Sequence, residues 1–295
     1  MTSLSISIDF LKSTIDDYDF KERPLIVGLS GPQGSGKSYL AEHLLSNLKT
    51  LYPHLNIVQF SMDDLYLTHE EQSQLNEVAK TKLLNNGLLQ GRGLPGTHDI
   101  ALGLQIFQQL IESKSNGSRH LPVKIPLYDK SAFHGEGDRY DISKWQVIEK
   151  PIDIILFEGW FNGFEPLDSD QLKLSYFTSD PSEILQRHKL FHLEEINQTL
   201  KDYSKVWRLF DKFIFINTSN IDNVYTWRIQ QEHALIKATG KGMSDDKVVK
   251  FVDRYMPMYK LYYDRMCDAG AVKAPNSNLK LSIDISRNVL SHQLL

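Results

Sequence analysis

A short glycine-rich stretch, residues 31–38, constrains the fold of this 295-residue chain more than any other feature of its sequence. It reads Gly31-Pro-Gln-Gly-Ser-Gly-Lys-Ser38 and fits the spacing G-x-x-x-x-G-K-[ST]. Glycine allows backbone angles that a side chain would forbid, so successive N–H groups can turn inward around an anion. The spacing therefore predicts a loop that binds phosphate groups, with the lysine as a cationic contact.

The residues on either side place this loop between a buried strand and a helix. Residues 25–30 form a continuous apolar run, as a strand that is covered on both faces requires. After the loop, leucines recur at helical spacing as Leu40, Leu44, Leu45 and Leu48. A glycine-rich turn that matched the spacing by chance would not be expected to lie between such a strand and such a helix.

The loop also suggests individual contacts to a nucleotide. We assign Lys37 to the β- and γ-phosphates and the Ser38 hydroxyl to Mg²⁺. The residues expected to contact the phosphates are Gly31, Pro32, Gln33, Gly34, Ser35, Gly36, Lys37, Ser38 and Tyr39.

Composition narrows the class and the location of the protein. Hydrophobic residues make up 41% and charged residues 24% of the chain, which is ordinary for a globular protein. The formal charge of -4 gives no basic field that would indicate nucleic acid, and no apolar run is long enough to span a bilayer. Cys267 is the only cysteine, which favours a reducing compartment. We expect a cytoplasmic protein without nucleic-acid or membrane partners, although the sequence does not separate cytoplasm from nucleus or indicate an oligomeric state.

Apolar runs that alternate with helical patterns predict an α/β fold. The expected strands are residues 25–30, 56–61, 153–157, 174–178, 213–217 and 281–285. This alternation predicts a three-layer fold, an open parallel sheet with helices on both faces, in a single domain over residues 1–295. Residues 180–183 carry a helix-start pattern, and Pro257 is expected to end a helix that begins at Ser244.

Acidic residues follow two of the predicted strands. Ligands of such sheets bind beyond the carboxyl ends of the strands, so Asp63 and Glu158 are candidates for chemistry. We assign Glu158 to the metal and Asp63 to the proton of an attacking hydroxyl. Asp64 remains an alternative to Asp63, either as the base or as a solvated neighbour or helix cap. The proton can leave late in phosphoryl transfer, so most of the rate acceleration from such an acid comes from its orientation of the hydroxyl.

The second and third strands are separated by roughly ninety residues, far more than a crossover needs. We expect this excursion, residues 62–146, to build a site for a phosphate acceptor. Basic side chains there could clamp a carboxylate or phosphate, and an aspartate could accept hydrogen bonds from hydroxyls. The candidates are Arg92, His98, Asp99, Tyr128, Lys130 and Arg139. Each of them taken alone has the alternative of being an ordinary surface residue.

One further cation lies on a predicted helix after the fifth of these strands. Arg228 could close over the transferring phosphate as part of a lid formed by residues 220–260. The alternative is a helical ion pair between Arg228 and Glu232, four residues further on.

With these residues placed, the chain resembles the D-glycerate 3-kinase branch of the phosphoribulokinase, uridine kinase and pantothenate kinase superfamily. The resemblance runs from about residue 24 to about residue 285, and residues 164–206 follow the branch poorly. The resemblance rests on the sequence segments 31–38, 61–68, 92–99, 128–133, 135–139, 156–160, 227–228, 242–246 and 251–259. It implies an ATP-dependent kinase with a mobile lid, Asp63 as catalytic base, an acceptor site near residues 93–99 and a phosphate contact from Arg228.

The leading hypothesis is therefore a small-molecule kinase that uses ATP and Mg²⁺, with a D-glycerate-like acceptor. Alternatives are a kinase for another small metabolite and an ATP-binding regulatory protein without transfer activity. A regulatory protein predicts damage at Lys37, Ser38, Asp63 or Glu158, and all four are present. A mechanical or signalling NTPase would favour switch-like loops and an oligomerising surface, for which the sequence offers no evidence.

Overall fold

The central strand of the fold, β1 (Leu25–Ser30), is buried at every position, as its apolar sequence predicts. The computed structural model describes residues 1–115 and 120–295. Residues 116–119, which belong to the predicted excursion, lie outside the described residues. No helix within those two described ranges is both long and apolar enough to cross a membrane.

The remaining elements follow in chain order. The further strands are β2 (Ile57–Ser61), β3 (Val123–Ile125), β4 (Tyr128–Asp129), β5 (Asp138–Arg139), β6 (Gln146–Ile148), β7 (Ile154–Glu158), β8 (Lys212–Thr218), β9 (Asn278–Ile283) and β10 (Val289–Leu294). The helices are α1 (Ser3–Asp17), α2 (Lys37–Leu51), α3 (His69–Thr81), α4 (Ile100–Ser115), α5 (Ser169–Thr178), α6 (Leu190–Trp207), α7 (Asn223–Thr239), α8 (Asp245–Met258) and α9 (Asp264–Ala269).

In the part of the chain that the structure describes, six strands form the main sheet, in the order β10-β9-β8-β1-β7-β2. The five strands from β9 to β2 are parallel, and β10 pairs antiparallel with β9 at one edge. Helix α2 packs on α1 and on β1, β2 and β7, whereas α4 packs on α6. The predicted sheet with flanking helices is confirmed, and β10 is an edge strand that the sequence pattern did not predict.

The register of the sheet brings three chain segments together at its carboxyl edge. Glu158, at the end of β7, pairs with Leu29 of β1 on one side and with Ser61 of β2 on the other. Because β7 lies between β1 and β2, its last residue separates the glycine-rich loop from the turn that carries Asp63. The fold therefore places the three sequence-predicted sites next to one another.

Two sequence predictions between β7 and β8 were wrong. Residues 174–178 are the end of helix α5, not a strand, and α5 leaves Leu174 and Phe177 65% and 72% exposed. The helix begins because the Asp168 side chain accepts a hydrogen bond from the Gln171 amide at 2.8 Å. The Asp180 carboxylate closes a local turn with Ser182 instead of starting a helix, and the next long helix begins at Leu190.

The effect predicted for Pro257 was also wrong. Helix α8 continues through Pro257 to Met258 and passes into a π-helical turn, Tyr259–Tyr263, before α9. Proline removes one backbone N–H from the helix, and the wider turn follows two residues later. Burial of Tyr255, Tyr259 and Tyr262 holds this segment in place.

Candidate active site

Residues 31–38, called here the phosphate loop, turn sharply between β1 and α2. Gly34 has φ of 81°, and a Cβ there would lie 2.5 Å from Cβ of Trp227, so the position requires glycine. The Arg287 Nε donates a 2.7 Å hydrogen bond to the Gly34 carbonyl. Gly36 is left-handed, with φ of 96°, and precedes the first residue of α2, Lys37. The loop thus opens a helix whose positive end faces any bound anion.

The hydroxyl and the acid assigned to a metal lie together at the end of this loop. Ser38 Oγ donates to both carboxylate oxygens of Glu158, at 3.1 and 3.0 Å. In the described residues, no group of three or more His, Cys, Asp or Glu side chains is arranged to hold a metal ion. A hydroxyl beside one carboxylate nonetheless fits Mg²⁺, which is usually bound by one or two protein oxygens together with phosphates and water.

Asp63 is held from two sides in the 3₁₀ turn Met62–Leu65. The Lys130 ammonium donates to its Oδ2 at 2.6 Å, and the Tyr66 hydroxyl donates to its Oδ1 at 2.9 Å. Burial acts to raise the pKa of Asp63, but the charge and hydrogen bond of Lys130, helped by Lys37, outweigh it and hold the pKa below its usual value. The side chain is still 29% exposed, so an ionised carboxylate faces the cleft.

The neighbouring Asp64 has a different environment. Its Oδ2 accepts hydrogen bonds from the Ser61 amide and the Ser61 hydroxyl, both at 2.8 Å, which closes a capping box on the turn. Burial raises the pKa of Asp64, against the opposing effect of these hydrogen bonds. Asp64 therefore fixes the turn that presents Asp63.

A cleft of about 770 Å³ opens above the carboxyl edge of the sheet. Its walls come from the phosphate loop, the turn after β2, α3, the 87–98 loop (the acceptor loop), the 128–139 hairpin (the flap) and helices α7 and α8. The sequence-predicted residues that line it are Gln33, Gly34, Lys37, Ser38, Asp63, Arg92, Lys130, Glu158 and Arg228. Tyr39 is 66% exposed and stacks on His43, so its side chain lies outside this wall.

Arg92 joins the acceptor loop to the flap. Its guanidinium donates to the carbonyls of Gly135, at 2.7 Å, of Lys130, at 3.2 Å, and of Glu136. It also lies 5.7 Å from the centre of the Tyr128 ring. Arg92 therefore shapes the acceptor side of the cleft as well as lining it.

The other four residues predicted for the acceptor site are not among the described residues that line this cleft, and their contact with substrate stays a prediction. His98 is buried against Tyr66 and Tyr203, and burial lowers its pKa to about 3. The Asp99 Oδ1 caps α4 by accepting from the Leu102 amide at 2.9 Å. Loop side chains of this kind cannot be sorted from sequence, because their direction depends on tertiary contacts.

The last two of these residues contact Tyr66. Arg139, only 10% exposed, donates to the Tyr66 carbonyl at 2.8 Å and pairs with Asp99 at 3.5 Å. Tyr128 packs edge-on against Tyr66, with ring centres 5.1 Å apart. Together they support Tyr66, which in turn holds Asp63.

Arg228 does not form the helical ion pair that was its alternative. It donates to Gln231 at 2.8 Å and lies over the ring of Phe251, 5.0 Å from the ring centre. Glu232 is buried and accepts a hydrogen bond from the Met243 amide at 2.6 Å. The guanidinium of Arg228 thus faces the cleft from α7.

Several side chains that line the acceptor side of the cleft were not predicted from the sequence. They are His69, Gln72, Asn76, Arg254 and Tyr255. Asn76 accepts a hydrogen bond from the Gly91 amide at 2.8 Å, which ties α3 to the acceptor loop. Residues 251–259 are one of the segments on which the family resemblance rests, so the sequence did indicate that this region matters. Nothing in the local sequence, however, predicts that the side chains of Arg254 and Tyr255 point into the cleft.

The fold and the site define a class of protein. A mostly parallel sheet carries a glycine-rich loop after its central strand, a serine–carboxylate pair at the loop and an ionised aspartate at the end of a nearby strand. These are the parts of a P-loop kinase, in which phosphate contacts, a metal site and an aligned acceptor meet at the carboxyl edge of the sheet.

Comparison with known proteins assigns the chain to a family, although no protein-family model matches it. The chain is 40% identical to Probable ATP-dependent kinase TDA10 of Saccharomyces cerevisiae, over 98% of this chain and 96% of that protein. It is 37% identical to the chloroplastic D-glycerate 3-kinase of Arabidopsis thaliana, over 90% of this chain and 54% of that protein. The solved structure of a D-glycerate 3-kinase from Cryptococcus neoformans matches with a TM-score of 0.89 and 32% identity, over 100% of both chains. The chain therefore belongs to the glycerate 3-kinase-like branch of the P-loop superfamily, a family of ATP-dependent kinases.

Proposed function

We propose that this kinase transfers the γ-phosphoryl group of ATP to an alcohol hydroxyl of a small hydroxy acid, with D-glycerate as the leading acceptor. The proposal extends to this chain the substrate that two of its relatives carry in their names. It is supported independently by the charges that surround the acceptor side of the cleft.

The observation that carries the proposal is a pair of cations without acidic partners. Arg92 and Arg254 both line the acceptor side of the cleft, and within the described residues neither forms an ion pair with a carboxylate. Lys130 adds a third cation beside Asp63. Positive charge without acidic partners favours an acceptor that brings its own carboxylate, because a cleft lined by cations attracts anions.

The residues of this chain have separate tasks in the proposed transfer. Lys37 and the phosphate-loop amides hold the β- and γ-phosphates, and Ser38 with Glu158 would hold Mg²⁺. The metal ion would neutralise charge on the phosphate oxygens. Asp63, which its lowered pKa keeps ionised, accepts a hydrogen bond from the acceptor hydroxyl and orients it. Because the hydroxyl proton leaves late in the transfer, even this weakly basic carboxylate can receive it.

We further propose that residues 1–295 act as one kinase domain in which residues 220–260 form a lid. Arg228 reaches the cleft from α7 and would contact the transferring phosphate on closure. We also propose a cytoplasmic location, based on the single cysteine and the composition of the chain. Cell fractionation tests the location.

A matched acceptor panel tests the function. ATP consumption is measured with D-glycerate, L-glycerate, glycerol, uridine and pantothenate at equal concentration. Glycerol has the same three carbons as glycerate but lacks the carboxylate, so the proposal predicts turnover of D-glycerate and little turnover of glycerol. Equal turnover of glycerol would contradict the anionic acceptor. Binding of Mg·ATP without turnover of any acceptor would favour a regulatory protein.

A further inference from the structure

Two arginines on different elements hold the acceptor side of the cleft by its main chain. Arg254 of α8 donates to the carbonyls of Gly87, at 3.2 Å, Leu88, at 2.9 Å, and Gly91. It also donates to the carbonyl of Arg92, at 3.0 Å. One side chain thus fixes most of the first half of the acceptor loop.

Arg92 extends this contact to the flap and from there to Asp63. Its guanidinium donates to three flap carbonyls, including that of Lys130. The Lys130 ammonium in turn donates to Asp63 Oδ2 at 2.6 Å. A continuous series of hydrogen bonds therefore runs from α8 through the acceptor loop and the flap to the carboxylate proposed as the base.

The hydrogen-bonding capacity of Arg254 argues against a role as the main substrate ligand. A guanidinium has five N–H groups, and Arg254 directs hydrogen bonds to four carbonyls. Too few donors remain for bidentate binding of a carboxylate. Burial lowers the pKa of Arg254, because the cation loses contact with water.

Helix α8 also contacts elements on the nucleotide side of the protein. Asp253, next to Arg254, accepts from the Tyr225 hydroxyl of α7 at 2.6 Å and from Arg187 at 2.8 Å. Helix α7 also carries Arg228 and contacts the phosphate loop, because Trp227 packs against Gly34. The two halves of the cleft therefore share one helical support.

We propose that Arg254 is a positioning residue that orders the acceptor loop and the flap, and so sets the affinity for the acceptor without touching it. The role in affinity rests on the proposed function, whereas the ordering of the two segments does not. Loss of Arg254 should loosen both segments and leave the phosphate loop intact. The readouts are therefore local order and the kinetic constants for each substrate.

The test compares Arg254→Met and Arg254→Lys with Arg208→Met, a matched control on an exposed arginine after α6. Hydrogen–deuterium exchange is followed in residues 87–98 and 128–139, and nucleotide affinity is measured with Mg·ATP. The proposal predicts faster exchange in both segments of Arg254→Met alone, with unchanged exchange in residues 31–38 and unchanged nucleotide affinity. Unchanged exchange in the two segments, or equally fast exchange throughout the chain, would overturn it.

Kinetics with D-glycerate give the second readout. Arg254→Met should raise the KM for D-glycerate by about 10- to 100-fold, with a smaller effect on the KM for ATP, because misplacement of binding groups weakens their contacts. Arg254→Lys, which retains three donors, should recover part of the loss. A fall in kcat with unchanged KM would contradict a role in acceptor affinity. If the wild type does not use D-glycerate, the proposed acceptor fails, and the exchange experiment still decides the positioning role.

Discussion

Two adjacent aspartates take different roles because their hydrogen-bond partners differ. Asp63 accepts from Lys130 and Tyr66 and has a lowered pKa, whereas Asp64 accepts from Ser61 and has a raised pKa. Environments that push apart the pKa values of neighbouring acids commonly separate their functions. The sequence could not make this distinction, because both carboxylates follow the same strand.

The pair provides a test in which each residue is the control for the other. Asp63→Asn should lower kcat by about 100-fold or more, since a base of this kind contributes 10²- to 10⁴-fold. Nucleotide affinity should change little. Asp64→Asn should instead lower the free energy of unfolding by about 1 kcal/mol through the weakened cap, with a smaller loss of kcat. Steady-state kinetics and chemical denaturation check both, and a larger kcat loss in Asp64→Asn would reverse the assignment.

Lys130 sets the pH dependence of the proposed base. Its ammonium lowers the pKa of Asp63, so the carboxylate stays ionised to a lower pH than usual. In Lys130→Met only burial and weaker charges remain, so the pKa of Asp63 should rise. The acid limb of the kcat/KM profile should therefore move to higher pH.

The pH profile needs a variant that removes a similar charge elsewhere. Lys201→Met changes an exposed lysine on α6 and should leave the acid limb in place. A Lys130→Met profile that keeps the wild-type acid limb would show that Asp63 does not control it.

At the scale of elements, the acceptor loop depends on close backbone contacts. Gly93 has φ of 130°, and a Cβ there would lie 2.1 Å from the Tyr255 hydroxyl. Gly93→Ala should therefore destabilise the fold by about 1–3 kcal/mol and raise the KM for the acceptor, because the loop must move. Denaturant unfolding and acceptor kinetics measure the two effects.

The same loop offers a matched control. A Cβ at Gly87 would meet no atom within 4 Å, so Gly87→Ala should change stability by less than about 0.5 kcal/mol. Equal effects of the two substitutions would show that the contact between Gly93 and Tyr255 is not what the loop requires.

The elements that were predicted well are those in which the pattern of apolar residues and the residues at the element's ends indicate the same structure. The strand at Leu25–Ser30, the loop after it and α2 follow from an apolar run, glycine spacing and spaced leucines. Helix α5 was mistaken for a strand because residues 174–178 are largely apolar, while the capping pair Asp168 and Gln171 was overlooked. Local periodicity fails where a short helix exposes its apolar side chains.

Residues of the site, too, could be predicted from the sequence only where a general rule of the fold applies to them. The rule that ligands bind at the carboxyl ends of strands placed Lys37, Asp63 and Glu158 on one cleft. No such rule applies to the excursion after β2, so the sequence could not indicate that His98 hydrogen-bonds to Tyr203 and that Asp99 caps α4. Arg254 comes from α8, far away in sequence, and only the folded chain brings it to the acceptor loop.

For the molecule as a whole, nucleotide binding should appear as added stability. A ligand that binds only the folded state stabilises it by about 2.7 kcal/mol at a concentration of 100 times its Kd. Mg·ATP should therefore raise the Tm of the wild type, and Lys37→Ala should lose most of that rise. Lys49→Ala, an exposed lysine at the end of the same helix, is the control. A full Tm rise in Lys37→Ala would contradict the phosphate-loop assignment.

The proposed transfer is tested most directly by ³¹P NMR of the wild type and Asp63→Asn, each with Mg·ATP and D-glycerate. In the wild type we expect the γ-phosphate signal to decline as a phosphomonoester signal and ADP appear in equal amounts. Asp63→Asn should bind the nucleotide and form almost none of that product. Release of inorganic phosphate without a phosphomonoester, or equal product from both proteins, would contradict transfer to an acceptor aligned by Asp63.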